Sequence, residues 1–336
     1  MDYDKIVIDH GSGGKLSHDL IQKIIIPVFN NSALSSLDDG ARLQIGQETL
    51  AFSTDSYVIT PLFFPGGDIG ELAVNGTVND LAMCGAIPLF LSASLVIEEG
   101  FPIKDLEIII ASMKKAADWA GVTIVTGDTK VVPRGAADRL FINTAGIGRL
   151  IPNVNLSGKN AAPGDKIIVS GAMGDHAAAI LIKRENLPFE TTIKSDTAPL
   201  NHLVRKMLEG SNGVHVLRDP TRGGLGTTLN EIAGQSGAGI ILFEEQIPVK
   251  KSVQGVCGLL GFDPIYLANE GKLVAVVKAE EADNVLGIMK NDLHGKEACI
   301  IGEVVSGHPG KVLMTTAIGG TRFVDMLSGE QLPRIC

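Results

Sequence analysis

Apolar and polar positions switch between two periods along almost the whole chain, so that stretches of strand spacing and stretches of helix spacing follow one another. Residues 49–54 carry the two-residue period of a strand that ends at Asp55. Asp68 and Glu71 are spaced as a capping box, and Ile69, Leu72, Ala73, Leu81 and Ala82 give the helix behind them a buried face. A second helix is predicted behind Pro102, where Ile103, Leu106, Ile110, Met113 and Ala117 recur and Gly121 supplies the stop. Residues 122–126 then form a short strand that delivers Gly127-Asp128-Thr129-Lys130 as a turn. The uncharged residues 81–97 contain Gly85 and Pro88 and alternate in their second half, which predicts a helix end, a turn and a buried strand rather than a membrane span.

Around residues 151–165 the pattern lapses into turn residues, and it restarts as a strand at Lys166. This divides the chain into a first domain, 1–152, and a second, 153–327. The second domain alternates in the same way, with a glycine-rich turn at 171–175, a helix through Leu181, and strands near 214–217, 239–243, 273–277 and 298–302. After Val324 the apolar period fades, and residues 328–336 read as a mobile tail with a thiol at its tip. Alternating strands and helices in two blocks predict a two-domain α/β (α+β) architecture.

Composition narrows the function. The 336 residues suffice for two domains, and 29 Lys+Arg against 38 Asp+Glu leave a net charge of −9, the wrong sign for a nonspecific nucleic-acid binder. The first residues lack the basic region and apolar run of a signal peptide, so a cytoplasmic location is expected, with no membrane contact. Cys84, Cys257, Cys299 and Cys336 lie too far apart for a redox pair or a zinc knuckle. Three read as small apolar core residues; the fourth is the last residue and does not.

Five aspartates stand at predicted element ends in the first domain: Asp38, Asp39, Asp55, Asp80 and Asp128. Such carboxylates can converge on Mg²⁺, which takes hard oxygen ligands and is commonly shared with substrate phosphates; the plainer alternative is that each makes a turn or a cap. The run His10-Gly11-Ser12-Gly13-Gly14-Lys15 offers backbone N–H groups to an anion, or is a flexible arm. Asp219-Pro220-Thr221-Arg222-Gly223-Gly224, behind a strand, offers an arginine and a helix start, or only a capped turn. Lys130 is suited to neutralising a transferring phosphoryl group or to pairing with Asp128. A thiol at Cys336 on a tether can carry a group between sites at high effective concentration, or can be an incidental terminal cysteine.

Taken together, the runs at 53–57, Asn79-Asp80-Leu81-Ala82, Gly127–Val132, Gly174-Asp175-His176, Asp219–Gly224, Asn269-Glu270-Gly271-Lys272 and the ending Pro333-Arg334-Ile335-Cys336 resemble the HypE carbamoyl dehydratases of [NiFe]-hydrogenase maturation. That family lies in the superfamily of aminoimidazole ribonucleotide synthetase and selenophosphate synthetase. The resemblance spans the whole chain, and its terminal motif is the most selective part. It implies an aminoimidazole ribonucleotide synthetase-like fold, with ATP binding and homodimerisation in the first domain. A carbamoyltransferase resembling HypF would load Cys336. ATP would then drive dehydration of the thiocarboxamide to a thiocyanate, delivered to an iron-carrying complex resembling HypC–HypD. The resemblance also implies residue roles: Cys336, Lys130 and Glu270 in catalysis; His10, Gly13, Gly14, Asp38, Asp55, Asn79, Asp80, Asp128, Thr129 and Arg222 around ATP; and Asp38, Asp39, Asp55, Asp80 and Asp128 around Mg²⁺. A selenophosphate-synthetase-like enzyme would need a cysteine near the N-terminal glycine run, where none precedes Cys84. A purine-pathway synthetase gives no reason for a terminal thiol, and a noncatalytic carrier would hydrolyse no nucleotide.

Overall fold

The computed structural model describes residues 4–29, 31–34, 37–187, 192–327, 329 and 334–336. Helix α1 (Lys15–Leu20) continues through a π-helical stretch (Ile21–Ile25) into α2 (Ile26–Phe29). The first sheet has the order β1 (Ala41–Ile45), β2 (Glu48–Tyr57), β7 (Leu140–Leu150), β5 (Ala86–Glu98), β6 (Thr123–Val132), all neighbours antiparallel except β5 and β6. A two-stranded ribbon, β3 (Phe63–Phe64) with β4 (Gly67–Asp68), leads into α3 (Ile69–Met83), and α4 (Ile103–Ala120) connects β5 to β6.

The second sheet has seven strands in the order β14 (Thr321–Val324), β13 (Val312–Thr315), β10 (Gly239–Phe243), β12 (Cys299–Val305), β8 (Lys166–Val169), β11 (Val274–Val277), β9 (Val214–Arg218). Helix α7 (Gly224–Ser236) covers one face; α6 (Asn201–Gly210) and α9 (Ala282–Lys290) cover the other. Along β8 and β11 successive side chains enter opposite cores, Ile167 and Val274 on one side, Ile168 and Ala275 on the other. Burial on both faces explains why these strands read as unbroken apolar runs. Helices α5 (Asp175–Arg184) and α8 (Lys251–Leu260) leave this unit to join the core of the first sheet, so one apolar cluster crosses between the two units.

The helix starts follow the capping signals. Asp68 accepts from the Gly70 and Glu71 N–H groups at 2.7 and 3.1 Å, and Gly121 ends α4 in the left-handed region at φ 74°. Two expectations are corrected. Strand β2 continues through Asp55 to Tyr57, because Ala51, Ser53, Asp55 and Tyr57 keep the inward period. Gly127-Asp128-Thr129-Lys130 is no turn but the middle of β6; a Cβ on Gly127 would lie 2.1 Å from the Ala93 carbonyl oxygen, so glycine there permits close strand pairing. Of the tail expected at 328–336, Ser328 and residues 330–333 lie outside the described residues; at its end, 334–336 lie against the first unit and Ile335 is buried.

Among the described residues the first sheet is covered on one face only. On the other, Phe52, Ile147 and Phe90 lie side by side across β2, β7 and β5, and all three are exposed. Cross-strand register places Ser94 with Asp128 and Val96 with Lys130 on this same open face. Among the described residues no helix is long and apolar enough to cross a membrane.

Candidate functional site

A cleft of about 580 Å³ lies where the two units meet. Its walls come from the N-terminal glycine run and α1, the segment ahead of β1, β2, the end of α3, and the loop that joins β9 to α7. The volume is that of a site for a ligand of nucleotide size.

The glycine run is folded, not a loose arm. Ser17 Oγ accepts from Gly13 N–H at 2.9 Å and donates to the His10 carbonyl at 2.7 Å, and His10 and Ser12 are buried. Gly13 sits at φ 76°, where a Cβ would lie 3.1 Å from the Arg222 Cβ, so the run closes over the loop after β9. That loop turns sharply because Gly223 and Gly224 adopt φ 77° and 58°; a Cβ on Gly224 would lie 2.6 Å from the Leu267 carbonyl oxygen. Strand β9 thereby delivers Asp219, Thr221 and Arg222 to the cleft at the N-terminus of α7, an end that favours an anion.

Carboxylates crowd the opposite wall. Asp55 comes from β2 and Asp80 from the last turn of α3, where it accepts from Ser53 Oγ at 2.7 Å. Withdrawal from water, together with the charges of Asp219, Asp55 and Asp39, raises Asp80 well above the carboxylate range. For the same reason, withdrawal first and Asp39 second, Asp219 is pushed up to about 8. Asp38 and Asp39 are different: buried Arg218 reaches both, Asp38 at 3.4 Å, and also the Leu37 carbonyl at 2.9 Å. Removing one partner of such a buried pair costs about 3–5 kcal/mol. Among the described residues no three His, Cys, Asp or Glu side chains form a closed metal shell. Asp55 nevertheless raises the proton affinity of both Asp80 and Asp219, and Asp219 that of Asp80. This is the imbalance that a divalent cation shared with phosphates relieves, so the residues fit Mg²⁺.

The terminal residues enter the same region. Val58 N–H, just past β2, donates to the Cys336 backbone oxygen at 2.9 Å, and Thr60 N–H to the Arg334 carbonyl at 3.3 Å. The negative charge of Cys336 is the first cause of a raised Arg222 pKa; Asp55 and Glu270 add to it. Arg222, exposed at the mouth of the cleft, thus lies within electrostatic reach of both the tail tip and the carboxylate wall. Cys336 is partly buried and in no disulfide.

Glu270 is buried, with its Oε1 lacking a hydrogen-bond partner among the described residues. Asn269 places it by accepting from Gly174 N–H at 2.7 Å and donating to the Pro220 carbonyl at 3.1 Å. Burial, then the charges of Asp219, Asp196 and Asp55, raise the Glu270 carboxyl well above its usual range. Asn79 holds the two units together, donating to the carbonyls of Ala198 and Glu270 at 3.1 and 3.4 Å.

Asp38, Asp39, Asp55, Asp80, Gly13 and Arg222 therefore line one cleft; His10, Gly14, Asn79 and Glu270 support or adjoin it. Asp128, Thr129 and Lys130 do not line it. Asp128 and Lys130 pair at 2.6 Å on the exposed strand β6. The sequence reasoning missed Asp219 as a cleft carboxylate, although it begins the Asp-Pro-Thr-Arg-Gly-Gly run. It also missed Tyr57, whose buried hydroxyl lies close enough to Asp55 and Asp80 for their charges to raise its pKa, after burial. The strand period of β2 was the available signal for Tyr57.

Two family models match the chain: the N-terminal domain of AIR synthase related proteins over residues 37–150 and the C-terminal domain over 162–314. The carbamoyl dehydratase HypE of Cupriavidus necator is 52% identical over 333 residues, covering 99% of this chain and 95% of that protein. The crystal structure of the hydrogenase maturation protein HypE in complex with ATP superimposes with a TM-score of 0.84 at 51% identity, covering 99% and 100% of the two chains. The crystal structure of a HypE–HypF complex gives a TM-score of 0.87 at 49% identity, covering 92% and 99%.

Proposed function

Because the chain belongs to the AIR synthase related proteins and, among them, to the HypE carbamoyl dehydratases, an ATP-dependent dehydratase family of hydrogenase maturation, we propose that it dehydrates a carbamoyl group carried on its own Cys336. The observation that carries this reading is the docked chain end: Cys336 bonds through its backbone to Val58, just past the strand that brings Asp55 into the cleft, within electrostatic reach of Arg222.

ATP occupies the cleft with its phosphates toward Arg222 and the start of α7. Asp55, Asp80 and Asp219 would hold Mg²⁺, which neutralises the triphosphate, and Arg218 keeps Asp38 and Asp39 in place beside them. The thiocarboxamide oxygen attacks the γ-phosphorus; the bond to the bridging oxygen breaks, ADP leaves, and the nitrogen gives the first of its two protons to solvent water. Glu270 then takes the remaining N–H proton, the carbon–nitrogen triple bond forms, the carbon–oxygen bond breaks, and phosphate departs. Cys336 is left as a thiocyanate. Burial suits Glu270 to this step, since its ionised form is a stronger base than an exposed glutamate.

We place a second copy of the chain on the open face of the first sheet. Phe52 and Thr54 belong both to that face and to the cleft, so a copy seated there brings its own Asp128 and Lys130 near the phosphates. This would reconcile the phosphoryl-stabilising role of Lys130 with its exposure in a single chain. The working division is an ATP-binding and dimerising domain at 1–152, a second domain at 153–327 and a carrier segment at 328–336. A carbamoyltransferase resembling HypF loads the thiol, and an iron-carrying complex resembling HypC–HypD receives the cyanide; a reduced carrier thiol suits the cytoplasm.

The test is the mass of the C-terminal peptide after incubation with the carbamoyltransferase, carbamoyl phosphate and ATP, with Cys336→Ala as control. The expected result is a carbamoyl adduct on Cys336 that loses one water only with hydrolysable ATP. No adduct with an active partner overturns the reading.

A further inference from the structure

The last three residues are gripped by contacts that the chemistry of dehydration does not require. His176, fully buried at the start of α5, lies 2.7 Å through Nε2 from the Ile335 carbonyl and 2.7 Å through Nδ1 from Ser195 Oγ. A carbonyl oxygen only accepts, so Nε2 carries the proton and the Ser195 hydroxyl donates to Nδ1. Phe64 packs edge-on against the imidazole at 5.6 Å and limits its rotation. Two turns further along the same helix, Arg184 donates to the Thr60 carbonyl at 2.8 Å and to the Arg334 carbonyl at 2.6 Å. The Arg334 carbonyl thus receives both Arg184 and Thr60 N–H. Ile335 is only 4% exposed, within the apolar cluster that α5 shares with the first sheet. Arg334 adopts φ 57° and pairs with Asp138 on the first unit.

We propose that His176 and Arg184 are positioning residues: with the pocket that buries Ile335, they form a clamp that reads the main chain of residues 334–335 and fixes where the Cys336 sulfur lies. The inference deepens the dehydratase reading and rests on it. The hydrogen bonds of His176 and Arg184 to the tail go to its backbone, and the apolar anchor is the residue before the cysteine. Loading a group on the sulfur therefore breaks none of these contacts. The tail must leave this clamp to meet a partner, so the clamp also sets how often the thiol is presented outward.

The experiment uses the full chain and two readouts. The first is the rate at which iodoacetamide alkylates Cys336, followed by the mass of the C-terminal peptide, which needs no catalysis. The second is the first-order rate of thiocyanate formation on the carbamoylated chain as ATP is varied. In Arg184→Ala and Ile335→Ser, alkylation is expected to accelerate about tenfold. Thiocyanate formation at saturating ATP is expected to fall by a similar factor while the KM for ATP stays unchanged, and Ile335→Val restores both. His176→Gln should behave alike; because it alters a buried site, Ile335→Ser, which changes only the tail, is the decisive variant. Alkylation of Ile335→Ser at the wild-type rate overturns the clamp. A wild-type chain that forms no thiocyanate overturns the dehydratase reading instead, and the alkylation rates still decide the clamp.

Discussion

Glu270 shows how one residue's setting determines its chemistry. A glutamate buried with an unpartnered oxygen, among carboxylates that raise its proton affinity, gives up a proton reluctantly and takes one readily. Glu270→Gln keeps the shape and removes the base. We expect it to accumulate the carbamoylated chain with thiocyanate formation slowed about 10²–10⁴-fold, measured by peptide mass over time. The pH dependence follows from the same shift. The carboxyl must be ionised to accept the proton, and its raised pKa means that ionisation is lost as pH falls through a value above the ordinary glutamate range. The rate at saturating ATP should therefore climb with pH through a midpoint higher than that of an exposed glutamate, and the limb should vanish in Glu270→Gln. A flat profile in the wild type would remove Glu270 from the mechanism.

Elements carry such residues to the cleft, and helix α3 carries two of them, Asn79 and Asp80, in its last turns. Its start is set by the Asp68 side chain bonding two of the four otherwise unpaired N–H groups. Asp68→Ala should cost about 1 kcal/mol, read as a lowered midpoint in chemical denaturation, with the dehydration rate per folded molecule nearly unchanged. A loss well below that in stability would mean that water replaces the cap. Further along the helix, Gly76 faces Tyr57, where a Cβ would lie 2.2 Å from the phenol oxygen. A glycine in mid-helix costs helix propensity, and the close approach of β2 is the physical reason for it here.

For the whole molecule, the open face of the first sheet is the feature a single chain leaves unexplained. The row Phe52–Ile147–Phe90 is apolar, exposed and continuous across three strands, and the cleft borders it. Phe90→Glu, outside the cleft lining, places a charge in the row. We expect the wild-type chain to sediment as a dimer, the variant as a monomer, and the variant to lose ATP-dependent thiocyanate formation because the second copy no longer presents Asp128 and Lys130. A monomeric wild-type chain that is fully active would rule this arrangement out.

Local signals in the sequence determined much of this. The strand alternation at 49–54, the Asp68 cap, the Gly121 stop and the strands at 239–243 and 274–277 depend on neighbours within a few residues, where side-chain period and backbone freedom act directly. The terminal Pro-Arg-Ile-Cys and the aspartate runs marked the family for the same reason: they are chemistry written in residue type. Strand β7, which joins β2 to β5, carried no motif and went unread, as did β13 and β14. Only the tertiary structure decided that Asp38 and Asp39 answer to Arg218, some 180 residues away, and that Asp219 completes the carboxylate wall. It also decided that Asp128 and Lys130 stand on the open face and that the chain end is clamped by α5. Those outcomes depend on which distant surfaces meet and exclude water, a property of the packed chain rather than of any segment within it.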